Sequence, residues 1–337
     1  MEVGRVRGHD GLDEVAAVVH RLAVLLAAGV APSSALRHLA AAEGADRGDA
    51  RRRRLLRAVS EEAARGGDVT AALLRGVPAS RRGGRGRCPA RWRASGPNAG
   101  EATAWAALAA AWRVAADSGA PIAAALSELA ESLRELARAN RDIAVALAGP
   151  AATGRVVGAL PLAALGLGGL LGFDVVGVLL GTVPGLICLV GGAGLMAGAH
   201  AWTRRLVHGA FPDDPAPGLA LDLLAVALAG GGSLDSSRAQ MLASLAECGL
   251  GTDERVLADA DSVLALSAAA GVPAGRLLRS EAALVRARAS SGARERAARL
   301  GVTLMLPLGV CVLPAFLLLG VAPMVVSVLL STFSVAA

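Results

Sequence analysis

Residues 156–199 form a run of 44 positions that holds one charged side chain, Asp174. A bilayer core is about 30 Å thick, and a spanning helix needs roughly 20 apolar residues, about 17 at the short end. The run therefore predicts two membrane spans, residues 156–172 and 175–199, joined by a tight turn at Phe173-Asp174. A second stretch without charge, residues 300–337, follows later. It is longer than one span and contains Pro307, Pro314 and Pro323, any of which could break it. One tilted span with an interfacial tail is expected. The fold class that follows is all-α: an integral membrane protein with about three transmembrane helices and two cytoplasmic helical bundles.

Arginine placement sets the expected topology, since positive charge marks the cytoplasmic side. Arg155 precedes the first span, Arg204, Arg205 and His208 follow the second, and Arg294, Arg296 and Arg299 precede the last apolar run. The hydrophilic group at the opposite face is Asp174. The expected order is cytoplasmic domain, hairpin out and back, second cytoplasmic domain, then a final span that leaves the C-terminus outside. The opening MEVGRVRGHDGLDEV has no apolar core of a signal peptide, so the chain is expected to start in the cytoplasm.

Composition excludes several chemistries. Aromatics are 2% of the 337 residues and Tyr is absent, while Ala and Gly abound. Such a chain packs helices backbone to backbone, although a GC-rich genome would favour the same residues. All 34 basic residues are Arg. Without Lys there is no Walker A loop and no Schiff base, so the chain is not its own P-loop ATPase. Cys88, Cys188, Cys248 and Cys311 show no metal-like spacing, and neither do His9, His20, His38, His200 and His208. No catalytic, cofactor-binding or metal site is expected.

Outside the apolar runs the pattern is helical. Val15, Val18, Val19, Leu22, Leu25 and Leu26 lie on one face of a helix that ends at Gly29. Pro32-Ser33-Ser34 starts a second helix, residues 47–64 predict a third with basic Arg51 to Arg54, and Asp68-Val69-Thr70 opens a fourth. Residues 79–98, rich in Arg, Gly and Pro, show no period and are expected to be a disordered loop. Arg-Gly stretches also bind RNA. A solvated or headgroup-facing loop is the preferred reading here, so no nucleic-acid partner is expected. Helices resume at Thr103, with Trp105, Leu108, Trp112 and Val114 on an apolar face. A break at Gly119-Ala120-Pro121 follows, and Gly149-Pro150 marks the elbow into the membrane.

The most specific signal is an internal repeat. LAVLLAAGVAPSS from Leu22 returns as LAVALAGGGSLDSS from Leu224, aligning Gly29 with Gly231 and Ser34 with Ser236. ADSGAP from Ala116 returns as AAAGVP from Ala268, aligning Leu126 with Leu278. Tight helix–helix turns need a residue at positive φ, which glycine supplies cheaply.

These segments resemble the cytoplasmic F domain of type II secretion and type IV pilus machinery, and in detail the platform proteins of tight-adherence (Tad/Flp) pili. WAALAAAWRVAADSGAPIAAALSELAESLRE resembles the B type; LALDLLAVALAGGGSLDSS and RERAARLGVTLMLPLGVCVLPAFLLLGVAPM resemble the C type. The resemblance implies a B–C fusion. Its parts would be a first F-type domain at 12–150 (with the 79–98 loop inside it), a transmembrane hairpin at 156–199, a second F-type domain at 217–299 and a C-terminal transmembrane segment at 300–331. It implies a scaffold in the inner or cytoplasmic membrane that couples a secretion ATPase to pilin-like subunits, with further copies of the platform protein and membrane lipid as the other partners. No catalytic residue transfers.

Competing readings rest on thinner signals. Gly154/Gly158, Gly168/Gly172, Gly177/Gly181/Gly185 and Gly194/Gly198 give small-xxx-small spacing, which serves packing within the hairpin and docking between subunits equally. Gly192-Ala193-Gly194 with Ala197 fits a dinucleotide fingerprint but follows no strand. Gly172-Phe173-Asp174 resembles an element of intramembrane aspartyl proteases, yet the second aspartate such enzymes need is missing. A small-solute transporter, the alternative function, would place ionisable groups at mid-membrane, and the apolar runs supply none there.

Overall fold

The computed structural model describes residues 3–44, 46–76, 99–170, 175–208, 216–252, 254–323 and 325. Within these helices the side chains of residues 3–10 and 146–157, among others, are outside the described set. The expected loop at 79–98 and the turn at Phe173-Asp174 also fall outside it. Among the described residues every regular element is a helix: α1 (Val3–Ala27), α2 (Pro32–Ala42), α3 (Arg47–Ala64), α4 (Val69–Gly76), α5 (Ala99–Ser118), α6 (Ile122–Leu170), α7 (Val175–Gly181), α8 (Val183–His208), α9 (Leu219–Ala229), α10 (Leu234–Glu247), α11 (Glu254–Ala270) and α12 (Ala274–Thr303). A helical tail follows with π turns at Leu308–Val312 and Leu317–Val321. Pro314 has no N–H to give the carbonyl four residues back, and wider turns flank it on both sides.

Two compact units divide the chain. The first combines residues 1–141 with 214–290; the second combines 142–213 with 291–337. The first unit therefore draws on both of the segments assigned above to separate F-type domains, and their apolar side chains form one core. At its centre lie α5 and α9. Every residue from Ala102 to Trp112 is buried, as is every residue of α9 from Leu219 to Ala227 except Ala220. Helices that are apolar all round belong inside a bundle, and α5 packs against α1, α4, α9 and α10. Trp105, 1% exposed, supplies the largest side chain of this core.

The repeat's glycines close its helices. Gly29 and Gly231 both have φ of 84°, and Gly119 and Gly271 have 74° and 67°. After α1 the Gly29 N–H reaches the Leu26 carbonyl and the Val30 N–H the Leu25 carbonyl, a Schellman end. After α9 the Gly231 N–H bonds the Leu228 carbonyl. Gly230 lies so close to the Ser118 carbonyl that a Cβ there would stand 2.0 Å from the oxygen.

The second unit is built the other way round. Within α8 the buried positions include Gly185, Gly192 and Ala199, seven residues apart, while Leu186, Ile187 and Val190 face outward. A Cβ on Gly192 would stand 2.4 Å from Leu319 Cγ, so this glycine is the hole into which Leu319 fits. Val302, Met305, Leu306, Val310 and Leu313 are exposed on the C-terminal segment. Among the described residues two helices are long and apolar enough to cross a membrane, Val183–Thr203 and Ala274–Val321.

Two expectations change in detail. The elbow at Gly149-Pro150 is absent, because α6 runs unbroken from Ile122 to Leu170. Proline removes one hydrogen bond, which the remaining ladder of a long helix tolerates. The span expected at 175–199 is interrupted at Thr182, which separates α7 from α8 and whose Oγ1 accepts the Gly185 N–H at 3.1 Å.

Candidate functional site

Among the described residues of the first unit two charged side chains are buried, Asp222 and Arg52. Asp222 sits near the start of α9, in the otherwise apolar LALDLLAVALA, and is 8% exposed. Arg286 of α12 donates from Nη1 to Asp222 Oδ2 at 2.6 Å, and Ser132 of α6 donates to the same oxygen at 3.1 Å. The Arg286 Nε donates to Glu135 Oε2 of α6 at 2.8 Å. One guanidinium thus ties α9, α6 and α12 together. Burial pushes the Asp222 carboxyl up to about 6, although Arg286 and Ser132 pull the other way. One helical heptad before Glu135 and Arg286, Arg279 donates to Glu128 Oε2 at 2.8 Å. The helices so paired, α6 and α12, are the repeat's equivalents of one another. In the second unit Arg294 pairs with Asp142.

Two further arginines each gather three carboxylates. Arg52 of α3, 6% exposed, is paired with Glu14, Glu43 and Asp49. Burial works to lower its pKa, but the three acids together raise it. Burial raises the pKa of Glu14, with Arg52 acting in the opposite sense. Arg113 of α5 meets Asp68, Asp117 and Glu247, with Asp117 first among the causes that raise its pKa. These clasps hold α1, α2 and α3, and α5 and α10, by ion pairs at the margin of the core.

The residues weighed from the sequence do not converge. Among the described residues no group of three or more His, Cys, Asp or Glu could hold a metal ion. Cys188, Cys248 and Cys311 are free thiols, and burial pushes the Cys248 thiol up to about 12. Cys88 and Asp174 lie outside the described residues. Gly191 and Gly192 meet Leu318 and Leu319, whereas a Cβ on Gly158, Gly181, Gly194 or Gly198 would meet nothing within 4 Å. A groove of about 510 Å³ runs beside the turns at Gly29 and Pro121, lined by Leu26, Val30, Pro32 and Ile122 with no titratable side chain. The Asp222 network escaped the sequence reading. Its one signal was a lone acid inside an apolar helix.

Residues 18–168 match the family described as Type II secretion system (T2SS), protein F. This stretch belongs to the type II secretion system F-domain family. The F-domain match begins inside α1 and ends inside the apolar part of α6. Ser132 and Glu135 lie within the F domain, while their partners Asp222 and Arg286 lie beyond it. Neither the curated proteins nor the solved structures compared with the chain gave a match.

Proposed function

We propose that this chain is the membrane platform of a pilus or secretion machine of the tight-adherence type, joining B-like and C-like halves in one polypeptide. The observation that carries the reading is the F-domain match, which runs from a helical bundle into an apolar helix with exposed Leu160, Leu167 and Leu170. A helix that turns its leucines outward has lipid for a neighbour. The first unit would lie in the cytoplasm and engage a secretion ATPase, while the spans engage pilin-like subunits and further copies of the chain. The Arg286 clasp supports this role, since it ties together the two helices, α6 and α12, that lead into the apolar segments. The chain itself would be non-catalytic, with its N-terminus inside and its C-terminus outside.

The test is co-purification of the full chain, in detergent, with a secretion ATPase from the same genome. Retention of the ATPase, with no nucleotide hydrolysis by the chain alone, is expected. The reading fails if the ATPase is not retained, or if the chain stays monodisperse in plain buffer. Topology reporters placed after Asp174 and after His208 should read outside and inside respectively. The transporter reading is not favoured, since no charged residue lies within Val183–Thr203.

A further inference from the structure

The α2–α3 face carries guanidinium groups with no counter-charge among the described residues. Arg37, Arg51, Arg53, Arg54 and Arg57 form no ion pair among the described residues, in contrast to Arg52 beside them. Among the described residues Arg37 bonds Ser34 Oγ alone, and Arg54 the Ala50 carbonyl alone. The two helices run antiparallel. Ser60 Oγ donates to the Ser33 carbonyl at 2.8 Å, and Arg52 Nε donates to Glu43 at 2.9 Å. Between those two contacts Arg37 comes level with Arg57, and Arg53 lies one turn further along α3. Arg53 and Arg57 stand four residues apart and Arg54 and Arg57 three apart, so these like charges repel on the free helix. Of the nearby acids, Glu14, Glu43 and Asp49 are taken by Arg52 and Glu61 by Arg65, while Asp46 at the start of α3 forms no ion pair among the described residues.

The other exposed positions around these arginines on α2 and α3 include Pro32, His38, Ala41, Ala42 and Ala58. A lipid-inserting surface carries bulky apolar residues beside its basic ones. A single-strand nucleic-acid surface carries aromatics for stacking. Beside these arginines there is no bulky aliphatic side chain and a single ring, His38, too few for a row of stacked bases, and guanidinium forks match carboxylates in pairs. We infer that the seam of α2 and α3, through Arg37, Arg53, Arg54 and Arg57, is the docking surface for an acidic helix of a partner protein. That helix presents carboxylates one turn apart. If the partner is the secretion ATPase, its identity rests on the platform reading above; the chemistry of the surface does not.

The test uses the full chain in detergent and a fluorescent helical peptide with Glu at every fourth position. The variants are Arg37→Glu/Arg53→Glu/Arg57→Glu, each single reversal Arg37→Glu and Arg57→Glu, and Arg276→Glu as the single-reversal control elsewhere on the first unit. Arg37 and Arg57 are exposed and Arg53 is half-buried, and unchanged circular dichroism will show that the fold is kept. Salt-sensitive binding of the peptide is expected, weakened in each single reversal, weakened about tenfold or more in the triple variant as three pairs become repulsions, and unchanged in the control. Equal binding by the triple variant, or no binding by the natural chain, overturns the inference. So does displacement of the peptide by vesicles containing phosphatidylglycerol but not by phosphatidylcholine vesicles, which would make lipid the occupant. If the natural chain retains the ATPase and the triple variant retains it equally, this surface is wrong and the platform reading stands. If neither retains it, the platform reading fails as well.

Discussion

The two units solve opposite problems with the same residue types. In the first, alanines and leucines of α5 and α9 are sealed inside a bundle, and arginines and acids are outside or clasped in networks. In the second, glycines and alanines of α8 face the neighbouring helix while Ile187, 68% exposed, faces out. Water drives apolar side chains inward, whereas lipid has no such preference and leaves close backbone packing to hold helices together. The exposed leucines of one unit and the buried leucines of the other are therefore the same side chain in opposite surroundings.

Truncation should separate the units most sharply. Trp105→Ala is expected to cost about 3–5 kcal/mol in thermal unfolding of the detergent-solubilised chain, while Ile187→Ala shifts the midpoint little. A comparable loss at Ile187 would show that its surroundings are protein rather than lipid.

Internal charge belongs to the first unit and should appear in its pH dependence. The Asp222 carboxyl titrates at about 6 when folded, against 3.8 as its ordinary value. The folded state thus holds the proton more tightly than the unfolded chain, and stability falls as pH rises through that window, then levels off. The fall is of order 3 kcal/mol. Asp222→Asn should flatten the profile; an unchanged slope in that variant would assign the titration elsewhere.

Packing in the second unit is next in size. Gly192→Leu must displace Leu319 and is expected to cost about 1–3 kcal/mol, while Gly194→Leu, with open space around it, leaves the melting temperature within error. Equal effects would mean that both faces of α8 are covered. The smallest effects come from the repeat turns. Gly29→Ala and Gly231→Ala each force a Cβ into φ of 84° and should each lose about 1 kcal/mol. Unequal losses would mark the turns as different despite their matched geometry.

The apolar segments, the helical periods, the glycine turns and the F-domain resemblance were legible, because each depends on local composition or on spacing along the chain. The third dimension was not. Nothing in LAVALAGG says that it packs beside WAALAAAW, and the Arg286 clasp joins residues separated by 64 and 151 positions. The repeat aligns His20 with Asp222, so its halves look alike in apolar spacing and differ where the charge is held. Gly192 and Gly194 read identically in sequence, and a leucine from a distant helix decides which of them is a packing hole. By itself the sequence determined which segments are long and apolar and where helices stop, since hydropathy and backbone freedom act over a few residues. The tertiary structure alone decided that both repeat halves share one core and which arginines meet a carboxylate among the described residues, because only distance brings a counter-charge to a charge.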